Sequence, residues 1–252
     1  MHNLILDTLI IGKPVIHLPT CHSTNTYARN LAAKERVIEG TVIITTEQTA
    51  GRGQMGNSWE SEPYQNFTLS VILRPTFLKV SDQFYINVAI SLGIYNFLHE
   101  YLGDALKIKW PNDILCDHYK LGGILIENML KGKHIDYTIV GMGLNINQQH
   151  FKAAPRASSL KLLTGMHHHL EALLPKLLKS LDEVYLRLRQ NQLETLKKEY
   201  IERLFRWQEK YTFKTDVLFE GKIVGLDQFG RLEVESKDGI RAYNFKEIEF
   251  IY

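Results

Sequence analysis

Cysteine is scarce in this 252-residue chain, with Cys21 and Cys116 standing alone and far apart. Two thiols so separated build neither a disulfide framework nor a Cys-x-x-Cys metal pattern, and they read as reduced, packed side chains. Long apolar runs are missing, so nothing in the sequence is long enough to span a bilayer. The opening stretch Met1–Ile11 is apolar but carries Asp7, with no basic leader and no small-residue cleavage site, unlike a secretory signal. An excess of one charge is lacking too. Thirty Lys and Arg against 28 Asp and Glu leave a formal +2, which supplies no concentrated basic face for nucleic acid. There are no internal repeats and no low-complexity segments. These absences lead to the expectation of a soluble, cytoplasmic protein with neither membrane nor DNA as partner.

What is present alternates between helical and strand periodicity. Ser23-Thr24-Asn25 precedes Tyr27, Ala28, Leu31 and Ala32 at helical spacing, and Ser23 or Asn25 suits an N-cap. Thr41–Thr46 and Phe67–Leu73 read as strands, the second stopped by Arg74-Pro75. Residues 83–101 carry a core-facing helical stripe ended by Gly103. Short segments at 106–110 and 114–116 flank the turn Pro111-Asn112-Asp113. The segments 123–129 and 135–141 flank Lys131-Gly132-Lys133, a hairpin signal. Residues 170–207 read as two or three helices, interrupted at Pro175 and near Asn191. From Thr215 the pattern turns to short strands, with turns expected at Glu220-Gly221, Gln228-Phe229-Gly230 and Lys237-Asp238-Gly239. The expected fold is α+β: a mixed, largely antiparallel sheet flanked by helices over 1–211, then a small SH3-like β-barrel over 212–252.

Four segments could carry chemistry. Gly51-Arg52-Gly53-Gln54-Met55-Gly56 lets backbone N–H groups approach a ligand, and Arg52 adds a planar fork for carboxylate or phosphate. It matches neither the dinucleotide fingerprint nor the Walker pattern, and alone it reads more readily as a surface turn. Lys109-Trp110-Pro111-Asn112-Asp113 places a lysine and an aspartate about a proline turn, suited to a phosphate and a metal-bound triphosphate. Lys120-Leu121-Gly122-Gly123 joins a point charge to glycines at a strand start, although an ordinary β-bulge fits as well. Gly141-Met142-Gly143-Leu144-Asn145 is another glycine-rich strand end, offering an amide. Several strand ends that each deliver glycine plus a cation or amide suit one polyanionic ligand. The run His167-His168-His169 is not assigned to metal, because consecutive residues point in different directions.

In order, Ser-Thr-Asn, Gly-Arg-Gly-x-x-Gly-x-x-Trp, Lys-Trp-Pro-Asn-Asp, Lys-Leu-x-Gly-Ile-Leu-x-Glu and Gly-x-Gly-x-Asn closely resemble the catalytic domain of biotin–protein ligases. The strong motifs run from about His17 to Asn147, and the β-rich tail fits that family's small C-terminal domain in kind. The resemblance implies a class II synthetase-like fold in which biotin and ATP give biotinyl-5′-adenylate and pyrophosphate. The acyl group then passes to a lysine of a biotin carboxyl carrier domain. It implies biotin contacts from Ser23, Thr24, Asn25, Gln48, Gly51, Arg52, Lys120 and Gly123. Gln54, Trp59, Asn112 and Asn145 would serve the nucleotide, Asp113 its Mg2+, and Arg52, Lys109 and Lys120 would be the catalytic cations. Where a common family form has two further loop arginines, this chain has Gln54 and Asn57, which implies a looser hold on the adenylate. Only 22 residues precede Ser23, too few for the DNA-binding domain of some relatives, so ligase activity without operator binding is expected. A sheet-edge homodimer is compatible with the sequence. A lipoate–protein ligase and a non-catalytic biotin-binding module are the competing readings.

Overall fold

A computed structural model describes residues 6–152 and 154–251, so the signal-sequence reading, which rests partly on residues 1–5, lies partly outside them. The elements run β1 (Val15–Cys21), α1 (Thr24–Lys34), β2 (Thr41–Gln48), β3 (Phe67–Leu73), α2 (Phe84–Leu102), β4 (Leu106–Lys109) and β5 (Asp113–Cys116). Next come β6 (Tyr119–Lys131), β7 (His134–Leu144), α3 (Leu160–Thr164), α4 (Leu170–Arg189) and α5 (Leu193–Glu202). The last strands are β8 (Lys210–Lys214), β9 (Leu218–Leu226), β10 (Leu232–Ser236), β11 (Gly239–Tyr243) and β12 (Glu249–Phe250).

All seven residues of β3 are buried, because helices cover both faces of the sheet it belongs to. The order is β1-β2-β3-β7-β6-β5-β4, with β1 and β2 parallel and every other pair antiparallel. This is the mixed, largely antiparallel sheet expected. Strand side chains alternate between faces. Phe67, Leu69, Val71 and Leu73 therefore join the main core with α2, α4 and α5, while Ile72 joins Ala28 and Ala32 of α1 on the other face. Gly132, at φ 63°, turns the β6–β7 hairpin where the Lys-Gly-Lys signal places it. Gly103, at φ 59°, ends α2.

Two local expectations are corrected. Pro175 does not interrupt α4, because Leu173, Leu174, Leu177, Leu178 and Leu181 bury an apolar stripe that outweighs one missing backbone bond. Glu220-Gly221 is no turn. It lies inside β9, where Gly221 lets β10 pack closely, since a Cβ there would sit 2.5 Å from Val234 Cγ1. The C-terminal unit is the small SH3-like β domain expected, a five-stranded antiparallel sheet in the order β11-β10-β9-β8-β12, with no closing pair between its edge strands among the described residues. Its core is continuous with the first sheet's. Trp110 Nε1 donates to Gly230 O at 2.9 Å, and Trp110 stacks edge-on against Phe245. Among the described residues no helix is long and apolar enough to cross a membrane.

Candidate active site

Period-two alternation builds the floor of one cleft. Thr68 of β3 faces Gly143 of β7, which faces Gly123 of β6, which faces Asp113 of β5. One row along, Ser70 faces Gly141, which faces Leu125. These rows lie on the face that α1 covers farther along, and beyond the N-terminus of α1 glycines leave the sheet bare. The cleft above is lined by Ser23, Thr24 and Asn25, by Gln48, Arg52, Gln54 and Trp59, and by Asn112, Lys120 and Gly123.

The glycines make room for the protein's own side chains. A Cβ on Gly141 would lie 2.3 Å from Asn25 Oδ1, and one on Gly143 would lie 2.2 Å from the Trp59 ring. Asn25 and the Trp59 indole thus rest directly on the sheet. The segment 51–59 folds back as a tight hairpin, with Trp59 N donating to Gly51 O at 2.9 Å and Gly53 N to Asn57 O at 2.7 Å. That return delivers the indole to the floor, and it leaves Trp59 Nε1 buried without a partner.

Polar groups in the cleft are cross-braced. Ser23 occupies the N-cap position of α1, but its side chain makes no capping bond. Gln48 Oε1 instead accepts from Thr24 N at 2.9 Å, which leaves the nearly buried Ser23 to face the cleft. Ser70 Oγ lies 2.7 Å from both Thr24 Oγ1 and Asn25 Oδ1. Asn25 Nδ2 donates to Leu125 O at 3.1 Å and to Glu127 Oε2 at 2.8 Å, and Arg52 reaches the same oxygen at 2.9 Å. Lys120 Nζ is 2.6 Å from Asp113 Oδ1 and 5.7 Å from the centre of the Trp59 ring. Asn112 clasps β6, donating to Ile124 O at 2.8 Å while its own carbonyl accepts from Ile124 N.

Of the expected site residues, Gly51, Lys109, Asp113 and Asn145 are not part of the lining of this cleft. Lys109 does not line it; its ammonium lies 5.4 Å from the Phe250 ring centre, and burial pulls its pKa down against the opposing pull of Asp113. Asn145 is buried and donates to Ser158 O at 3.0 Å, with its Oδ1 left unpartnered. Asp113, expected to hold a metal, is engaged by Lys120. Among the described residues no three His, Cys, Asp or Glu side chains gather as a metal site. His168 exchanges two backbone bonds with the Asn147 side chain and packs edge-on against Tyr101, a structural role for that histidine. Burial pushes both cysteine thiols up, as suits packed side chains. Sequence reasoning named no role for Ser70 or Glu127. For Glu127 a signal existed: a carboxylate two residues beyond Leu125 on an otherwise apolar strand face.

A sequence model of the Biotin/lipoate A/B protein ligase family matches residues 18–145, and one of the Biotin protein ligase C terminal domain matches 212–250. The chain is 28% identical to a bifunctional ligase/repressor BirA of Bacillus spizizenii, over 97% of this chain and 76% of that one. It is 32% identical to a biotin–[acetyl-CoA-carboxylase] ligase of Mycobacterium tuberculosis, over 55% of this chain and 51% of the other. The BirA of Bacillus subtilis aligns over 44% of its own length, at 35% identity, so the match spans about half or less of some relatives. Among solved structures, the biotin protein ligase from Aquifex aeolicus in complex with biotin and ATP superposes with a TM-score of 0.80 at 25% identity, covering 95% of this chain and 99% of that one.

Proposed function

Because the chain belongs to the biotin/lipoate A/B protein ligase family, we propose that it is a biotin–protein ligase. It activates biotin with ATP to biotinyl-5′-adenylate and transfers the biotinyl group to a lysine of a biotin carboxyl carrier domain. The observation that carries this reading is the single cleft joining an amide- and hydroxyl-lined end (Ser23, Thr24, Asn25, Gln48) to a cationic end (Arg52, Lys120) across a glycine floor. A cyclic urea wants fixed donors and acceptors; a carboxylate meeting a triphosphate wants positive charge.

In the first step a biotin carboxylate oxygen attacks the α-phosphorus, and the bond to the β-phosphate oxygen breaks as pyrophosphate leaves. In the second, the acceptor amine attacks the acyl carbon, AMP leaves, and the nitrogen loses a proton. The substrate supplies its own nucleophile, so the protein acts by positioning and by preorganised charge. Arg52 and Lys120 are the cations in place for this, and Lys109 is left outside the reacting set. Trp59 packs against the adenylate. Asn112 lines the nucleotide side, and Asn145, although set back from the cleft, has a buried Oδ1 without a partner that an adenine amino group would satisfy on binding. Magnesium would enter with the triphosphate and help neutralise it, held mostly by phosphate and water oxygens. Asp113, bound to Lys120, is at most one carboxylate toward it.

A second groove shares Gln54 with the cleft and continues between the sheets along Phe84, Asn87, Phe229, Arg231 and Asn244, an approach for the acceptor lysine. The test is ATP–pyrophosphate exchange with biotin or lipoate as the acid, followed by transfer to a carrier domain. Biotin-dependent exchange and transfer support the reading; exchange driven by lipoate alone, or adenylate undetectable by mass spectrometry, refutes it.

A further inference from the structure

Glu127 holds the two ends of the cleft together through one oxygen. Its Oε2 accepts from Asn25 Nδ2 at 2.8 Å and from Arg52 at 2.9 Å, while Arg29 stands 3.7 Å from Oε1. These partners come from α1 and from the glycine hairpin, elements that otherwise meet the cleft from different sides.

The bond to Asn25 fixes which way that amide faces. Both Nδ2 protons are spent, on Leu125 O and Glu127, and Oδ1 lies against Ser70 Oγ. An amide oxygen has two lone pairs, so the cleft is offered an acceptor. A ring N–H of a cyclic urea can use it, and a group presenting only an acceptor cannot. The bond to Arg52 uses one donor of a five-donor fork and leaves the rest to face an anion. Arg29 gives Glu127 a second cation, so the carboxylate stays compensated while Arg52 divides its donors between it and a phosphate.

We propose that Glu127 is a positioning residue coupling biotin recognition at Asn25 to closure of the Arg52 hairpin. The proposal rests on the ligase reading above. Glutamine at 127 keeps an acceptor for Asn25 but gives up the charge that holds Arg52; alanine gives up both.

The experiment compares wild type, Glu127→Gln and Glu127→Ala in biotin-dependent ATP–pyrophosphate exchange and in the rate of biotinyl-adenylate release, with Arg52→Ala and the E127Q/R52A double variant completing a cycle. Circular dichroism melts establish that each variant is folded. Loss of a hydrogen bond to a charged acceptor predicts a rise of about tenfold to a hundredfold in KM for biotin for Glu127→Ala. Glu127→Gln should restore KM to within about threefold while releasing adenylate about fivefold faster, the scale of a part-exposed ion pair. That faster release should vanish against an Arg52→Ala background. An unchanged biotin KM in Glu127→Ala, or an E127Q effect that persists undiminished in the double variant, overturns the coupling. Wild-type protein that shows no biotin-dependent exchange overturns the ligase reading itself, a result that cannot be mistaken for failure of the Glu127 variants alone.

Discussion

A single methyl group placed on Gly143 tests whether the glycine floor exists to seat Trp59. A Cβ there would meet the indole at 2.2, 2.5 and 2.5 Å, far inside contact distance, with no other atom so close. Either the sheet shifts or the ring moves. Gly143 is paired on both sides, to Thr68 and to Gly123, whereas Trp59 ends a hairpin held by few backbone bonds. The ring should therefore give way. Overpacking of this kind costs about 1–3 kcal/mol. If that cost falls on the closed cleft, Gly143→Ala should weaken binding of a non-hydrolysable biotinyl-adenylate analogue by about fivefold to a hundredfold, read by titration calorimetry. The melting temperature should change by under about 3 °C, because the folded state escapes most of the strain by releasing the ring. Trp59→Ala removes the obstacle, so Gly143→Ala in that background should cost nothing further. An equal loss of affinity with and without Trp59, or unchanged affinity in Gly143→Ala, would refute the argument.

Other perturbations separate chemistry from scaffold. Lys120→Ala should lower adenylate formation by about a hundredfold or more in single-turnover assays, while its part-exposed pair with Asp113 limits the stability change to about 1 kcal/mol. Asp182, 3% exposed on α4, accepts from Leu9, Ile10 and Ile11 N–H at 2.7, 2.9 and 2.7 Å. Asp182→Ala strands those donors and should cost about 3 kcal/mol or more, lowering the melting temperature by roughly 6–12 °C. Burial, aided by His167, holds the His168 pKa below its ordinary 6.5. Its unfolded form binds the extra proton first on acidification, so its stability contribution is complete above 6.5 and is lost as pH falls through the folded value. Urea midpoints measured from about pH 7.5 down to about pH 5 should therefore fall less in His168→Gln than in wild type.

The sequence made visible whatever depends on local pattern. The strand at 67–73, the helix ending at Gly103 and the hairpin about Gly132 follow from β-branching, apolar spacing and a positive-φ glycine, all contained within a few residues. Strand β1 was not legible: its proline and histidine hide the alternation, and it exists through parallel pairing with β2. Pro175 misled because its helix is stabilised by packing against α2, which no local rule records. Most expected site residues do converge on one cleft, since their motifs end the strands that form its floor. Lys109 does not, although pairing with Asp113 puts it on the same face of the sheet, because its long side chain runs from the edge strand β4 toward Phe250 of the C-terminal unit. The glycines were read as room for a ligand. Register reveals that two of them are first of all room for Asn25 and Trp59.

The cleft's charges follow from the same register. Its two cations each meet a carboxylate from the floor strands: Arg52 meets Glu127, and Lys120 meets Asp113. A site that must gather a carboxylate and a triphosphate is thus not an open pool of positive charge before they arrive. Pairing holds each cation in one direction, which lowers the entropy lost when it turns to a phosphate. The exchange is unequal at the two ends. Glu127 is also held by Arg29 and Asn25, so Arg52 can keep one donor on it while its other donors turn to substrate. At the other end Asp113 stands between Lys120, at 2.6 Å, and Lys109, its partner across β4 and β5, and Lys120 springs from a floor strand, so it serves the reacting phosphate while still anchored to Asp113. Arg52 therefore suits the part that moves as the hairpin closes, and Lys120 the part that stays fixed at the point of attack.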